Sequence, residues 1–181
     1  MSSNSTRLLT PAVQKSLREL KSLIFDVDGV LTDDTIYVGP GGEEFKRFHV
    51  SDGLGIALMQ KRLKLKVAAI SGRHSEATTA RAAELGIAPC IQGEQDKRRG
   101  MQKVLAAHRV KAGQAAFVAN EILDLSAFAA VGFKIAVADA APEVIAQADF
   151  VLRRAGGEGV ARELFELICR ARGVAYVRWY A

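Results

Sequence analysis

Short apolar runs that end in small or polar residues alternate along the chain with longer stretches whose apolar residues recur at three- and four-residue spacing. A run of four or five apolar positions fits a strand buried on both faces, and the longer period fits helices laid over such strands. The pattern predicts strands at Ser22 to Phe25, Lys66 to Ile70, Cys90 to Gln92, Ala115 to Val118, Lys134 to Val137 and Phe150 to Leu152. Helices are predicted over Gly53 to Leu63, Ser75 to Leu85, Lys97 to His108, Leu123 to Val131, Pro142 to Ala146 and Gly159 to Ala171, with a leading helix at Pro11 to Leu20. Such alternation builds βα units, so the expected fold class is α/β: a Rossmann-like three-layer sandwich with a central parallel sheet.

One stretch breaks the alternation. Thr35 to Val38, the glycine-rich Gly39-Pro40-Gly41-Gly42, and Glu43 to Val50 read as a β-hairpin inserted after the first strand, a flap overhanging the sheet edge. Neither the space between Leu31 and Val67 nor any later segment holds a separate substrate-capping domain. A site without a lid must accept large substrates or borrow walls from a neighbouring subunit, so self-association is expected.

Composition fits one domain over residues 1–181: the chain is 49% hydrophobic, without a long Pro- or Ser-rich stretch. Residues 1–20 form an N-terminal extension and helix, frayed at its start. Residues 174–181 form an aromatic tail with Trp179, Tyr176 and Tyr180, suited to packing on a subunit surface rather than to chemistry. The net charge of +5 raises the question of nucleic acid. Lys and Arg are scattered, however, and Lys97-Arg98-Arg99 lacks interleaved aromatics, so solvated helix faces and an anion-attracting pocket are expected and nucleic acid is not a partner. Cys90 and Cys169 are far apart and in no metal-ligand spacing, which fits buried free thiols in a reducing compartment. No apolar stretch approaches the roughly 18 residues that span a bilayer, so no membrane association and a cytoplasmic location are expected. His49, His74 and His108 are isolated and form no metal set.

Candidate chemistry collects at the predicted strand ends. Asp26-Val27-Asp28-Gly29-Val30-Leu31-Thr32 follows the first strand, where open α/β sheets bind ligands. One carboxylate can attack phosphorus while its neighbour handles protons, and Gly29 lets the backbone turn tightly past a bound metal or phosphate. Ser71-Gly72-Arg73 closes the second core strand and offers a hydroxyl and backbone N–H groups to phosphate oxygens. Lys97, after the third strand, can neutralise charge on a transferred group. Asn120-Glu121-Ile122-Leu123-Asp124 follows the fourth and supplies oxygen ligands that suit Mg²⁺. Taken singly, each has a plain alternative: a solvated turn, a helix cap, a surface lysine, an N-cap. Their order and shared location carry the functional reading.

That order resembles the haloacid dehalogenase superfamily of phosphohydrolases, and more closely its lid-less members of the 3-deoxy-D-manno-octulosonate 8-phosphate phosphatase type. The resemblance runs from Leu23 to Gly173, through Asp26 to Asp33, Gly42-Glu43-Glu44-Phe45-Lys46, Ser51-Asp52-Gly53-Leu54-Gly55-Ile56, Ser71-Gly72-Arg73, Ala136 to Ala140 and Gly156-Gly157-Glu158-Gly159. It implies Asp26 as the nucleophile forming an aspartyl-phosphate and Asp28 as the acid and base. It implies Mg²⁺ held by Asp26, the Asp28 carbonyl and Asn120, and a phosphoryl group bound by Ser71 and Lys97. Gly29, Thr32, Asp52, Gly72, Arg73 and Arg162 are implied as substrate-binding. A homotetramer is implied, with a neighbour's hairpin and glycine-rich tail closing each pocket. The implied substrate is a sugar acid phosphate, 3-deoxy-D-manno-octulosonate 8-phosphate, with a nonulosonic acid 9-phosphate as the alternative and a weakened sugar-phosphate binding homologue as the non-enzyme rival. Three segments depart from the pattern: Ala119-Asn120-Glu121 stands where Gly-Asp-Asp is usual, with Asn120 in place of a carboxylate, Ser51 stands where Arg is common, and Val160-Ala161-Arg162-Glu163 keeps Arg162 but alters its neighbours.

Overall fold

The structure, a computed structural model, describes residues 9–180; the expected fraying lies largely in residues 1–8, outside them. Six parallel strands form one sheet: β1 (Ser22–Phe25), β4 (Lys66–Ile70), β5 (Cys90–Ile91), β6 (Ala115–Ala119), β7 (Phe133–Ala136) and β8 (Phe150–Val151), in the order β5-β4-β1-β6-β7-β8. The chain leaves β1 toward β4 and β5, then crosses to β6 and continues to β7 and β8. The strand order therefore reverses beside β1, and a crevice opens there at the carboxyl ends of the strands.

Helices cover both faces. On one, α2 (Val50–Lys61) packs against α7 (Val160–Ala171) and α3 (Glu76–Leu85), and α1 (Pro11–Glu19) leans on α7; on the other, α4 (Lys97–His108) packs against the short α5 (Leu125–Phe128). α6 (Pro142–Gln147) lies beside β7. Side chains of β1 and β6 are buried throughout, and Phe25, Phe117, Phe128 and Phe165 are the largest fully enclosed residues. Phe117 meets Phe128 edge-on at 6.4 Å. The expected three-layer sandwich without a cap domain is the fold found.

Differences from the sequence reading have local causes. The hairpin is shorter than expected: β2 (Tyr37–Val38) pairs antiparallel with β3 (Glu44–Phe45), and the return stretch ends where α2 begins at Val50 rather than Gly53. The His49 side chain starts that helix by accepting from the Ser51 N–H. The helix expected over Leu123 to Val131 is a 3₁₀ turn, Ile122–Asp124, followed by only four α-helical residues, because the Asp124 side chain turns inward. The aromatic tail folds onto this chain's own α7: Tyr176 and Trp179 lie 5.0 and 6.2 Å from the Phe165 ring. Burial pushes both cysteine thiols up, Cys169 to about 11, which leaves them unreactive as thiolates. Among the described residues no helix is long and apolar enough to cross a membrane.

Candidate active site

β1 continues its pairing one residue past its end, the Asp26 N–H bonding the Val118 carbonyl at 3.0 Å, and then the chain folds back. The N–H groups of Val30, Leu31 and Thr32 all converge on the Val27 carbonyl. Thr32 locks this turn, its hydroxyl accepting from the Gly29 N–H and donating to the Val27 carbonyl. Gly29 has φ +78°, and a Cβ there would stand 2.0 Å from Asn120 Nδ2, so only glycine lets the turn lie against Asn120. From the other side the tail presses as closely. A Cβ on Gly156 would fall 2.1 Å from the Gly29 carbonyl oxygen, and the Gly157 N–H bonds the Val30 carbonyl.

Asp26 is buried at the base of a cleft of about 150 Å³ lined by Asp28, Ser71, Gly72, Arg73, Lys97 and Asn120, together with Asp34, Glu121 and Leu123. Its Oδ1 accepts from the Val27 N–H at 2.7 Å and from Lys97 Nζ at 2.6 Å. Lys97 is the first residue of α4, whose N-cap Asp96 accepts from the Arg99 N–H, so the helix start aims its ammonium inward. That ammonium is 3% exposed and also meets the Ile70 carbonyl at 3.0 Å and Asp124 Oδ1 at 3.1 Å. Asp124 Oδ2 accepts from the Asn120 and Glu121 N–H groups, which fixes the loop after β6. Burial, then repulsion from Asp124, pushes the Asp26 carboxyl up to about 7, although Lys97 pulls the other way. Two enclosed carboxylates thus share one ammonium.

The donors expected for a cation fit that surplus. Asn120 Oδ1 is buried with no hydrogen-bond partner, beside the Asp26 turn. A buried amide oxygen left unsatisfied is costly, and a hard cation satisfies it. Ala119, the last residue of β6, pairs with Ala136 and takes no positive φ, so its extra methyl strains nothing.

The Ser71 hydroxyl accepts from the Arg73 N–H at 3.1 Å, and its backbone bonds Ile91 and Glu94 on either side. Arg73 Nη2 meets Glu44 of the hairpin at 2.9 Å, and Lys46, just past β3, meets Asp28 Oδ1 at 2.6 Å. The flap therefore overhangs the cleft as expected, through contacts no periodicity announced.

Three expected substrate-binding side chains do not line this cleft. Thr32 is fully buried in the turn it locks. Asp52 accepts from the Arg162 N–H at 3.0 Å, a carboxylate set at the amino end of α7, where the helix dipole favours it. The Arg162 side chain instead pairs with Glu166 at 2.8 Å and lies 5.6 Å above the Phe165 ring. In the single chain Thr32 and Asp52 Oδ1 thus serve a turn and a helix start, and Arg162 pairs along its own helix. Conversely, Lys46 and Asp34 stand at the site with no role expected from the sequence, and Asp124, expected only within the acidic cluster after the fourth strand, pairs there with Lys97. Asp124's spacing from Asn120, matching a side chain that caps its own loop, was a usable signal.

Known proteins share this sequence pattern and fold. The sequence profile of haloacid dehalogenase-like hydrolases matches residues 59–164. The 3-deoxy-D-manno-octulosonate 8-phosphate phosphatase of Salmonella typhimurium is 38% identical over 165 residues, 91% of this chain and 87% of its own; that of Haemophilus influenzae is 39% identical over 91% of each. Among solved structures, the corresponding phosphatase of Yersinia pestis superposes with a TM-score of 0.86 at 37% identity, covering 90% of this chain and 88% of its own. That of Moraxella catarrhalis, in complex with a magnesium ion, a phosphate ion and a 3-deoxy-D-manno-octulosonate (KDO) molecule, superposes with a TM-score of 0.89 at 31% identity over 94% and 98% of the two chains. With its carboxylate turn at the switch point of a lid-less parallel sheet, the chain belongs to the haloacid dehalogenase-like hydrolases, in the branch of the 3-deoxy-D-manno-octulosonate 8-phosphate phosphatases.

Proposed function

We propose that this protein hydrolyses 3-deoxy-D-manno-octulosonate 8-phosphate to the free sugar acid and inorganic phosphate, with Mg²⁺ bound. The convergence of Asp26, Ser71, Lys97 and Asn120, far apart in sequence, on one cleft carries the reading. Asp26 attacks phosphorus; Asp28 gives a proton to the departing sugar oxygen and then takes one from the water that cleaves the aspartyl-phosphate. Lys97 holds Asp26 in line and, with Ser71 and the N–H groups that follow it, binds the phosphoryl oxygens. Asp26, the Asp28 carbonyl and Asn120 would hold the Mg²⁺, which when bound neutralises phosphoryl charge. Arg73 meets the substrate's carboxylate, a group Glu44 now imitates.

Such an open cleft fits the proposed homotetramer, in which a neighbour's hairpin completes the wall. Val38 and Phe45 of this flap are exposed apolar residues, at 72% and 59%. We infer a cytoplasmic reaction, as a step toward lipopolysaccharide.

The test is phosphate release from a panel of sugar acid phosphates with and without Mg²⁺. Turnover of the eight-carbon ester above the nine-carbon esters, lost on chelation, is expected. No release from any ester by folded protein overturns the assignment. A second expectation concerns the neutral ligand. Asn120→Asp should lower the Mg²⁺ concentration for half-maximal rate by about tenfold, because affinity follows the charge of the ligand set. An unchanged requirement removes residue 120 from that set.

A further inference from the structure

We propose that Lys46 is a positioning residue for Asp28, through which the hairpin sets the proton-transfer geometry of the site. This rests on the proposed phosphatase reading.

Lys46 is a poor candidate for an ordinary surface lysine. Its side chain has no solvent exposure, although it follows a two-stranded flap whose other side chains are largely exposed. Enclosing a lysine stem costs rotamer freedom and hydration, and both are recovered only where the head group finds fixed partners. Lys46 Nζ has three neighbours: Asp28 Oδ1 at 2.6 Å, the buried Thr78 hydroxyl of α3 at 3.4 Å, and Glu44 Oε1 at 3.7 Å. Glu44 is in turn held by Arg73, so the flap is pinned at two points, to Asp28 and to Arg73, both of which line the cleft.

The pairing restricts Asp28. With Oδ1 taken by Lys46, the carboxyl is set in one orientation and Oδ2 is left for proton exchange with substrate and water. As Asp26 forms its bond to phosphorus, the ester P–O bond breaks and its electron pair goes to the alcohol oxygen, which takes the Asp28 proton. That transfer needs hydrogen-bond reach between the two oxygens, and a side chain free to rotate loses it. The need grows as the leaving group becomes a stronger base, since a good leaving group departs without the proton.

The experiment measures kcat/KM on substituted phenyl phosphates of graded leaving-group acidity, for wild type, Lys46→Met, Lys46→Arg, Asp28→Asn and the double variant Lys46→Met with Asp28→Asn. These esters carry no carboxylate, so binding of a sugar acid cannot enter. Lys46→Met should lose about tenfold more on phenyl phosphate than on p-nitrophenyl phosphate, Lys46→Arg should recover most of it, and the double variant should be no steeper than Asp28→Asn alone. Equal losses along the series, or additive losses in the double variant, overturn the proposal. If Lys46→Met does not fold, Lys46→Gln is read in the same way. Failure of the phosphatase reading looks different: wild type then hydrolyses no phosphomonoester at all.

Discussion

Replacing Asp26 by Asn is expected to lower turnover by at least about 10³-fold while leaving the fold as stable as before. The two halves have separate causes. An amide cannot form the acyl-phosphate, so the covalent route closes. Stability survives because Asn keeps an oxygen for the Val27 N–H and for Lys97, while the buried negative charge that burial and Asp124 both oppose disappears. Lys97 retains Asp124 at 3.1 Å. Thermal melts in chelator beside phosphate-release assays check both: full activity removes Asp26 as nucleophile, and a melting point several degrees lower contradicts the charge balance drawn here.

The opposite behaviour is expected of Lys97→Met. Removing the ammonium shared by Asp26 and Asp124 leaves two enclosed carboxylates facing each other and the Ile70 carbonyl without its donor. Breaking a buried ion pair by deleting one partner costs about 3–5 kcal/mol, and turnover should fall as well because the phosphoryl group loses its fixed cation. Since the deficit is one of positive charge, Mg²⁺ should restore part of the lost stability. Urea titrations with chelator and with excess Mg²⁺ measure this. A variant as stable as wild type in chelator, or one indifferent to Mg²⁺, shows that the three side chains do not share the charge balance described.

The contrast between those variants marks where sequence reading succeeds. Ser22 to Phe25 and Lys66 to Ile70 were bounded to the residue because an apolar run flanked by polar residues in a fully buried strand has one reading. Asp26, Ser71, Lys97 and Asn120 were found because strand ends of a doubly wound sheet lie together whatever the loops do. Asp124 reads in sequence only as part of an acidic cluster, since its pairing with Lys97 depends on a side chain turning back across its own loop. Lys46 is in sequence only one residue of a motif. Its partner lies 18 residues away across a flap of two-residue strands, and such pairing follows from tertiary placement that no periodicity encodes. Thr32, Asp52 and Arg162 show the converse: polar residues beside a site read as ligands in sequence, whereas the partners they take in a turn, a helix start or a helix face belong to tertiary structure.

The backbone approach of Gly156 to Gly29 bears on how the protein is made. A ribosome delivers Asp26 early, yet the turn that carries it is braced by residues more than a hundred positions later and paired to β6, which also emerges late. Domains close when their distant pieces arrive, so a nascent chain halted before residue 156 exposes its carboxylates in an unbraced loop, unable to hold a phosphate ester in line. Chemical competence is thereby withheld until the glycines at 156 and 157 have closed on the turn.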